Sequence, residues 1–229
     1  MRRTGRRLGL LCRTLLIVQA IWLSGTPAAN TGRFLVPEQQ LSDIRSVYGE
    51  YALRRIHFWE QLINSGRQLE DQQKLERVNS FFNELSFSSD AEHWGQEDYW
   101  ATPLQTLASN GGDCEDFSIA KYFTLREMGI PAEQLRLTYV KALELNQAHM
   151  VLTYFGTADA DPLVLDNLSA DILPASSRKD LLPVYSFNGN GLWLTTARGM
   201  DQHIGKPERL SHWQSVIARI SNEQLAAAH

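Results

Sequence analysis

The sequence predicts an α+β fold in a single domain, because the hydrophobic period changes from that of helices to that of strands partway along the chain. In the first half, apolar residues recur every three or four positions, which is typical of amphipathic helices. After Gly129-Ile130-Pro131 the period becomes two, which indicates strands. Helices that come first, followed by a run of strands, favour helices packed on an antiparallel sheet.

The first element, residues 1–28, is predicted to be a signal peptide ahead of one domain spanning residues 29–229. Five arginines and no acid precede an apolar run at 15–23, and small residues follow that run. The run is shorter than the roughly 20 apolar residues that span a bilayer. Cleavage after Ala28 or Ala29 is therefore favoured over a retained membrane anchor, and we expect export without stable membrane insertion.

Charge and cysteine content narrow the classes of function. Without the leader's five arginines, 17 of the 22 basic residues remain against 26 acidic residues, which gives a net charge near −9. Such a surface does not suit nucleic acid or anionic lipid, but it suits cations. Cys12 lies in the leader, which leaves Cys114 without a disulfide partner. A lone thiol in an exported protein is either functional or buried and inert.

The helical half follows an extended stretch at residues 30–40. Periodic apolar positions predict helices over 40–63 and 75–85. Residues 86–110 are rich in aromatics and are predicted to be irregular. A third helix is predicted to start near Cys114 and to end at Gly129, where a glycine followed by a proline stops propagation.

The second half is predicted to form strands at 135–143, 148–155 and 162–167, with further short strands and a last helix at 213–226. A hairpin closed by residues 156–159 would place His149 directly opposite Asp166. Opposed residues have Cβ atoms about 4.5–5.5 Å apart, a distance over which a carboxylate can orient an imidazole. The alternative is a chance pairing, because strand register slips easily.

The stretch GGDCEDFSIAKYF places Cys114 in the first turn of the third helix, with Asp113 as a candidate N-cap. A helix N-terminus favours the thiolate, whereas the neighbouring acids oppose it, so a cationic histidine would decide the balance. Cys114, His149 and Asp166 follow the order nucleophile, base, acid that is typical of acyl-transfer enzymes. The backbone N–H of Cys114 should contribute to an oxyanion hole.

Asp113, Glu115 and Asp116 surround the thiol with carboxylates. Calcium prefers such hard oxygen ligands, although the spacing is not that of an EF-hand. The alternative is a solvated first turn in which acids interact favourably with the helix dipole. Calcium takes six to eight oxygens, so other groups would have to complete the site.

The chain also contains longer motifs: DYWATPLQTLASNGGDCEDFSIAKYFTLREMGI, LRLTYVKA, HMVLTYF, PLVLDNL and DLLPVYSFNGNGLWL. With these motifs the chain resembles the bacterial transglutaminase-like cysteine proteinases over roughly residues 33–220. The resemblance implies a papain/transglutaminase-like cysteine proteinase core. It implies that Cys114 is the nucleophile, His149 the general base and Asp166 the orienting acid. It also implies that Ca²⁺ binds to Asp113, Glu115 and Asp116.

The function that this resemblance implies is calcium-dependent cleavage in the periplasm. The expected substrate is the N-terminal region of a large surface adhesin, cut near a pair of alanines, which releases the adhesin and controls biofilm attachment. The expected regulator is an inner-membrane receptor for cyclic di-GMP that sequesters the protease. Two alternatives stay open: a transglutaminase-like acyltransferase, since the same triad can serve an amine acceptor, and a catalytically silent binding module.

Overall fold

A computed structural model describes residues 32–157, 160–195 and 201–225, which belong to one compact unit. The predicted leader lies outside the described residues, as does part of the predicted turn at 156–159. Among the described helices, none combines the length and apolar character needed to cross a membrane. The helices are α1 Glu38–Gly66, α2 Asp71–Asn83, α3 Asp90–His93, α4 Pro103–Ser109, α5 Cys114–Glu127 and α6 Ser211–Leu225.

The long helices lie where hydrophobic periodicity predicts them, with α1 kinked at Gly49, whose φ is +79°. The prediction that residues 86–110 are irregular was wrong, since α3 and α4 lie within them. A capping box starts α4: the Thr102 hydroxyl accepts from the N–H of Gln105, and the Gln105 side chain accepts from the N–H of Thr102. Pro103 then occupies the first helical position, where its missing N–H costs nothing.

A seven-stranded antiparallel sheet forms the second layer, in the order β6-β5-β4-β3-β7-β8-β9. A separate two-stranded parallel pair, β1–β2, lies just before α5. The predicted α+β class is therefore confirmed. The strands are β1 Ser86–Phe87, β2 Gly111–Gly112, β3 Leu135–Ala142, β4 Gln147–Tyr154, β5 Leu163–Leu165, β6 Leu173–Pro174, β7 Leu181–Phe187, β8 Leu192–Thr195 and β9 Asp201–Gly205.

The β4–β5 hairpin differs from its predicted register. Leu152 pairs with Leu165, so the strands are offset by two residues from the register that would put His149 directly opposite Asp166. Direct opposition was thus a wrong prediction. A two-residue offset keeps every side chain on its original face, because side chains alternate with a period of two. His149 and Asp166 therefore still share a face.

Helix α5 is the central element of the core, because it packs against β4 and also against α2 and α4. Its side chains Phe117, Ile119 and Leu125 are almost completely buried. The Ser118 hydroxyl donates a 3.0 Å hydrogen bond to the carbonyl of Met150 in β4. This contact fixes the start of α5 beside the strand that carries His149.

Candidate active site

Cys114 opens α5, one residue after the two glycines of β2. A Cβ on Gly111 would lie 2.2 Å from the backbone oxygen of Ser86, and one on Gly112 would lie 2.1 Å from a carboxylate oxygen of Asp116. Neither position has room for a side chain. The two glycines therefore allow β2 to lie against Ser86 and Asp116 and so place Cys114 at the helix N-terminus. Asp113 occupies the predicted N-cap position, but its side chain makes no capping hydrogen bond.

His149 and Asp166 form a buried hydrogen-bonded pair, 2% and 1% exposed. Nε2 of His149 lies 2.8 Å from Oδ1 of Asp166. The same oxygen accepts from the N–H of Leu168 at 2.9 Å, and Oδ2 accepts from Nη2 of Arg178 at 2.7 Å. Burial alone would raise the pKa of Asp166, but His149, Leu168 and Arg178 together hold it below its usual range.

The ionised state of Asp166 determines the tautomer of His149. A carboxylate only accepts hydrogen bonds, so Nε2 carries the proton that bridges the pair. In the neutral imidazole the lone pair is then on Nδ1. That nitrogen is the one available to take a proton from a thiol.

Cys114 and His149 line the same cleft, which has a volume of about 590 Å³. Aromatic side chains form part of its wall, among them Trp100 and the stacked pair Tyr139 and Tyr185, whose ring centroids are 5.1 Å apart. The cleft is thus large enough for several residues of an extended peptide and brings the thiol and the imidazole to one surface. The structure therefore brings together the three residues that the sequence nominated as a triad.

The surroundings of Cys114 oppose ionisation of its thiol. Burial is the largest cause, followed by the charge of Glu115, whose Oε2 accepts a 3.0 Å hydrogen bond from Sγ, and by Asp113. Together they raise the pKa of Cys114 far above its usual range, although the backbone N–H of Met150 acts in the opposite direction. A positive charge close to these carboxylates would offset their contribution to the raised pKa.

Among the described residues, the predicted carboxylates lie in three overlapping groups of candidate metal ligands. Asp113 and Glu115 form one with the thiol of Cys114, Asp113 and Asp116 form a second with Asp90, and Glu115 forms a third with Asp90 and Asp98. In each group, one ligand atom per residue lies within 4.8 Å of the others. Asp90, at the start of α3, therefore adds a fourth carboxylate to the three that the sequence nominated.

This acidic cluster fits a cation on two grounds. The buried Oδ1 atoms of Asp90 and Asp113 receive no hydrogen bond from any described residue. Burial, reinforced by neighbouring carboxylates, raises the pKa of Asp113 to about 9 and that of Asp116 to about 7, although the N–H groups of Ala101 and Trp94 donate to Asp116. Unpartnered oxygens and mutually repelling carboxylates are what a bound divalent cation would satisfy.

Sequence reasoning missed two residues of this site. Asp90 precedes Cys114 by 24 positions in the aromatic-rich segment, and only the concentration of acids there gave any signal. Arg178 follows a short turn after β6, and no local pattern connects it with Asp166. Both reach the site through tertiary packing.

Comparison with known proteins gives a consistent result. Residues 61–194 match the family described as bacterial transglutaminase-like cysteine proteinase, BTLCP. Legionella pneumophila LapG, in an EGTA-treated structure, is 42% identical with a TM-score of 0.70, covering 81% of this chain and 98% of that one. A calcium-bound structure of the same LapG is 40% identical with a TM-score of 0.69, covering 81% of this chain and 99% of the other. No curated protein sequence matches the chain.

The family match spans more than half of the chain and contains Cys114, His149 and Asp166. The two LapG structures match a larger share of the chain, 81%, at 40–42% sequence identity. The chain therefore belongs to the bacterial transglutaminase-like cysteine proteinases.

Proposed function

We propose that this protein is a calcium-dependent cysteine endopeptidase in which Cys114, His149 and Asp166 act as nucleophile, general base and orienting acid. The observation that carries the proposal is the buried His149–Asp166 hydrogen bond, which leaves Nδ1 of the imidazole for the thiol lining the same cleft. A catalytically silent binding module would not need this arrangement.

The proposed reaction proceeds through a thioester. Nδ1 of His149 takes the thiol proton, and Sγ of Cys114 bonds to the scissile carbonyl carbon. The backbone N–H of Cys114, at a helix N-terminus, is placed to stabilise the oxyanion. The imidazolium returns its proton to the departing amine as the C–N bond breaks. Water, deprotonated by the same imidazole, then hydrolyses the thioester and regenerates the thiol.

Asp166 keeps both proton transfers, to and from the imidazole, at Nδ1 of His149. Because it stays ionised and accepts from Nε2, it holds the proton on that nitrogen and the lone pair towards the cleft. It also stabilises the imidazolium that forms after proton transfer. The pair is buried, so solvent does not screen the interaction.

We propose that Ca²⁺ binds in the acidic cluster, with Asp113, Glu115 and Asp116 as carboxylate ligands, with Asp90 as a fourth, and with Asp98 adjacent. Support comes from the two unpartnered buried oxygens and from the membership of LapG, solved with calcium bound, among the similar structures. When bound, calcium would supply positive charge beside Cys114 and so favour its thiolate. Glu115 would then be drawn from the thiol towards the cation.

We further propose, from the resemblance of the long motifs, that the enzyme acts in the periplasm on the N-terminal region of a large surface adhesin. Cleavage near two alanines would release the adhesin and end biofilm attachment. An inner-membrane cyclic di-GMP receptor would control the enzyme by sequestering it. The excess of acidic residues supports neither nucleic acid nor anionic lipid as a partner.

Cleavage of the cell's own adhesin tests the proposal. The purified domain is incubated with an N-terminal adhesin fragment, with Ca²⁺ or with EGTA, and the products are identified by mass spectrometry. We expect one cut in Ca²⁺ and none in EGTA or with Cys114→Ala. A labelled primary amine in the same reaction separates hydrolysis from transfer. Incorporation of the amine without a free carboxyl product would establish the acyltransferase instead, and an intact fragment in Ca²⁺ would refute the proposed substrate.

A further inference from the structure

Arg178 is bound to the oxygen of Asp166 that does not face His149. Its Nη2 lies 2.7 Å from Oδ2 of Asp166, and both side chains are nearly inaccessible to solvent. We propose that Arg178 is a positioning residue for catalysis, which acts through the carboxylate of Asp166 to hold His149 in its working tautomer. This inference rests on the proposed function, because it assigns a residue to the same site.

Arg178 is itself held in a fixed orientation. Its Nε donates to Asp180 at 3.0 Å, and its Nη2 donates to the same carboxylate at 2.7 Å. The guanidinium therefore bridges a buried carboxylate and a partly exposed one. Since the guanidinium is planar, fixing it on Asp180 also fixes the direction from which Nη2 approaches Asp166.

The two oxygens of Asp166 consequently have separate partners. Oδ1 accepts from His149 and from the N–H of Leu168, while Oδ2 accepts from Arg178. Rotation of the carboxylate would break all three bonds, so its orientation is determined. Without Arg178, Oδ2 would be a buried charged acceptor that has lost its donor, and the carboxylate would relax by rotating or by taking a proton. Either change weakens the acceptor that keeps the proton on Nε2.

The backbone of Asp166 is secured by other residues. Nδ2 of Asn83 donates to the carbonyl of Asp166 at 2.9 Å, and Nζ of Lys121 donates to Asn83 at 2.7 Å and to Asn79 at 2.8 Å. These contacts come from α2 and α5 and do not involve Arg178. Loss of Arg178 should therefore disturb the carboxylate while leaving the strand end in place.

A purely structural role makes a different prediction. Arg178 also joins the end of β5 to the start of β7, through Asp166 and Asp180. If this tie were its whole contribution, its loss would lower stability and reduce the amount of active enzyme, and the folded fraction would turn over at the normal rate. The His149 tautomer and the kcat of the folded enzyme distinguish the two roles.

The test uses Arg178→Met, Arg178→Lys and a matched control, Arg136→Met. Arg136 pairs with Asp201 on the same sheet, away from the triad, and is stacked between Phe155 and Trp193. For Arg178→Met we expect kcat on the adhesin fragment to fall by about 10–100-fold, the effect typical of a group supporting a ligand or catalytic residue, with KM within about twofold. Arg178→Lys should recover part of kcat, as should added guanidinium ion. Arg136→Met should keep the kcat of the wild type.

Nuclear magnetic resonance of ¹⁵N-histidine-labelled protein provides a readout that does not depend on the substrate. Wild-type His149 should show the Nε2–H tautomer, and Arg178→Met should show a mixture or the other tautomer. If Arg178→Met does not fold, the same spectrum of Arg178→Lys decides. An unchanged tautomer together with an unchanged kcat in the folded variant would overturn the proposal. If the wild type cuts no adhesin, but the His149 tautomer still differs between the wild type and Arg178→Met, the proposed substrate is refuted and this inference stands.

Discussion

Asp166→Asn is the substitution that most sharply tests how the triad works. Asparagine is almost the same size but offers one acceptor oxygen and one NH₂ group, where aspartate offers two acceptors. Three donors converge on this side chain, from His149, Leu168 and Arg178. The charged guanidinium makes the strongest of these bonds, so it should claim the amide oxygen. The NH₂ would then face His149.

That arrangement would reverse the tautomer of the His149 imidazole. An NH₂ can only donate, so Nε2 must become the acceptor and the proton must move to Nδ1, the nitrogen assigned to accept the thiol proton. Nδ1 would then carry a proton and could not accept one from the thiol. Loss of the right tautomer in a triad of this kind lowers the rate on the order of 10³–10⁴-fold, which corresponds to about 4–5.5 kcal/mol in the activation barrier.

The cost in stability should be smaller than the cost in rate. The N–H of Leu168 would be left facing a donor, and a buried unsatisfied group costs about 1–3 kcal/mol. Arg178 would keep Asp180 as its partner, which limits the loss of charge pairing. For a protein of this size each kcal/mol lowers Tm by roughly 2–4 °C, so the variant should remain folded at room temperature.

The assay is kcat/KM on the adhesin fragment in Ca²⁺, with Tm measured on the same samples. Asp201→Asn is the matched control, since it breaks the Arg136 pair on the same sheet without touching the triad. We expect the control to cut at a rate close to that of the wild type. A folded Asp166→Asn enzyme whose kcat/KM stayed within tenfold of the wild type would refute the assigned role of Asp166.

Three further predictions concern the nucleophile and the cation. Cys114→Ala should abolish cleavage with little change in Tm, because the thiol's chemistry rather than its volume is required; residual cutting would exclude it as nucleophile. Asp90→Asn should weaken calcium binding at least tenfold in calorimetric titration, whereas Glu97→Gln, at an exposed position outside the cluster, should not; equal affinities would remove Asp90 from the site. Without calcium, the folded-state pKa is about 9 for Asp113 and about 7 for Asp116, above the unfolded value of 3.8. The protonated carboxyls therefore contribute their full stability below pH 3.8, and this contribution is lost as pH rises through 7 and 9. Thermal scans in EGTA should therefore show Tm falling from pH 5 to 9, with calcium raising Tm most at high pH; parallel curves would contradict this.

The sequence was informative wherever a local rule acts. Hydrophobic periods located the long helices and the main strands, and the glycines before Cys114 marked a helix start. The shared face of His149 and Asp166 followed from alternation along strands, which survives a two-residue error in register. The helix at 103–109 was also readable, since Thr-Pro-Leu-Gln forms a capping box, but aromatic residues around it obscured the signal.

The remaining features depend on contacts between distant segments. Asp90 meets Asp113 and Asp116 only because α3 packs beside the start of α5, and Arg178 meets Asp166 only because the turn after β6 folds back over the β5 end. Neither residue lies in a pattern with a characteristic spacing. The way in which the acidic residues overlap in several groups depends equally on side-chain direction, which periodicity does not determine.

The alkylation rate of Cys114 by iodoacetamide at pH 7 tests the central claim most directly, because it reports the thiolate without requiring any substrate. Cys12 lies in the predicted leader, so Cys114 is the only cysteine of the domain at 29–229. If a cation in the acidic cluster and His149 together generate the thiolate, the rate should be high in Ca²⁺, at least tenfold lower in EGTA, and low in His149→Ala under both conditions. Equal rates in Ca²⁺, in EGTA and without His149 would contradict the account.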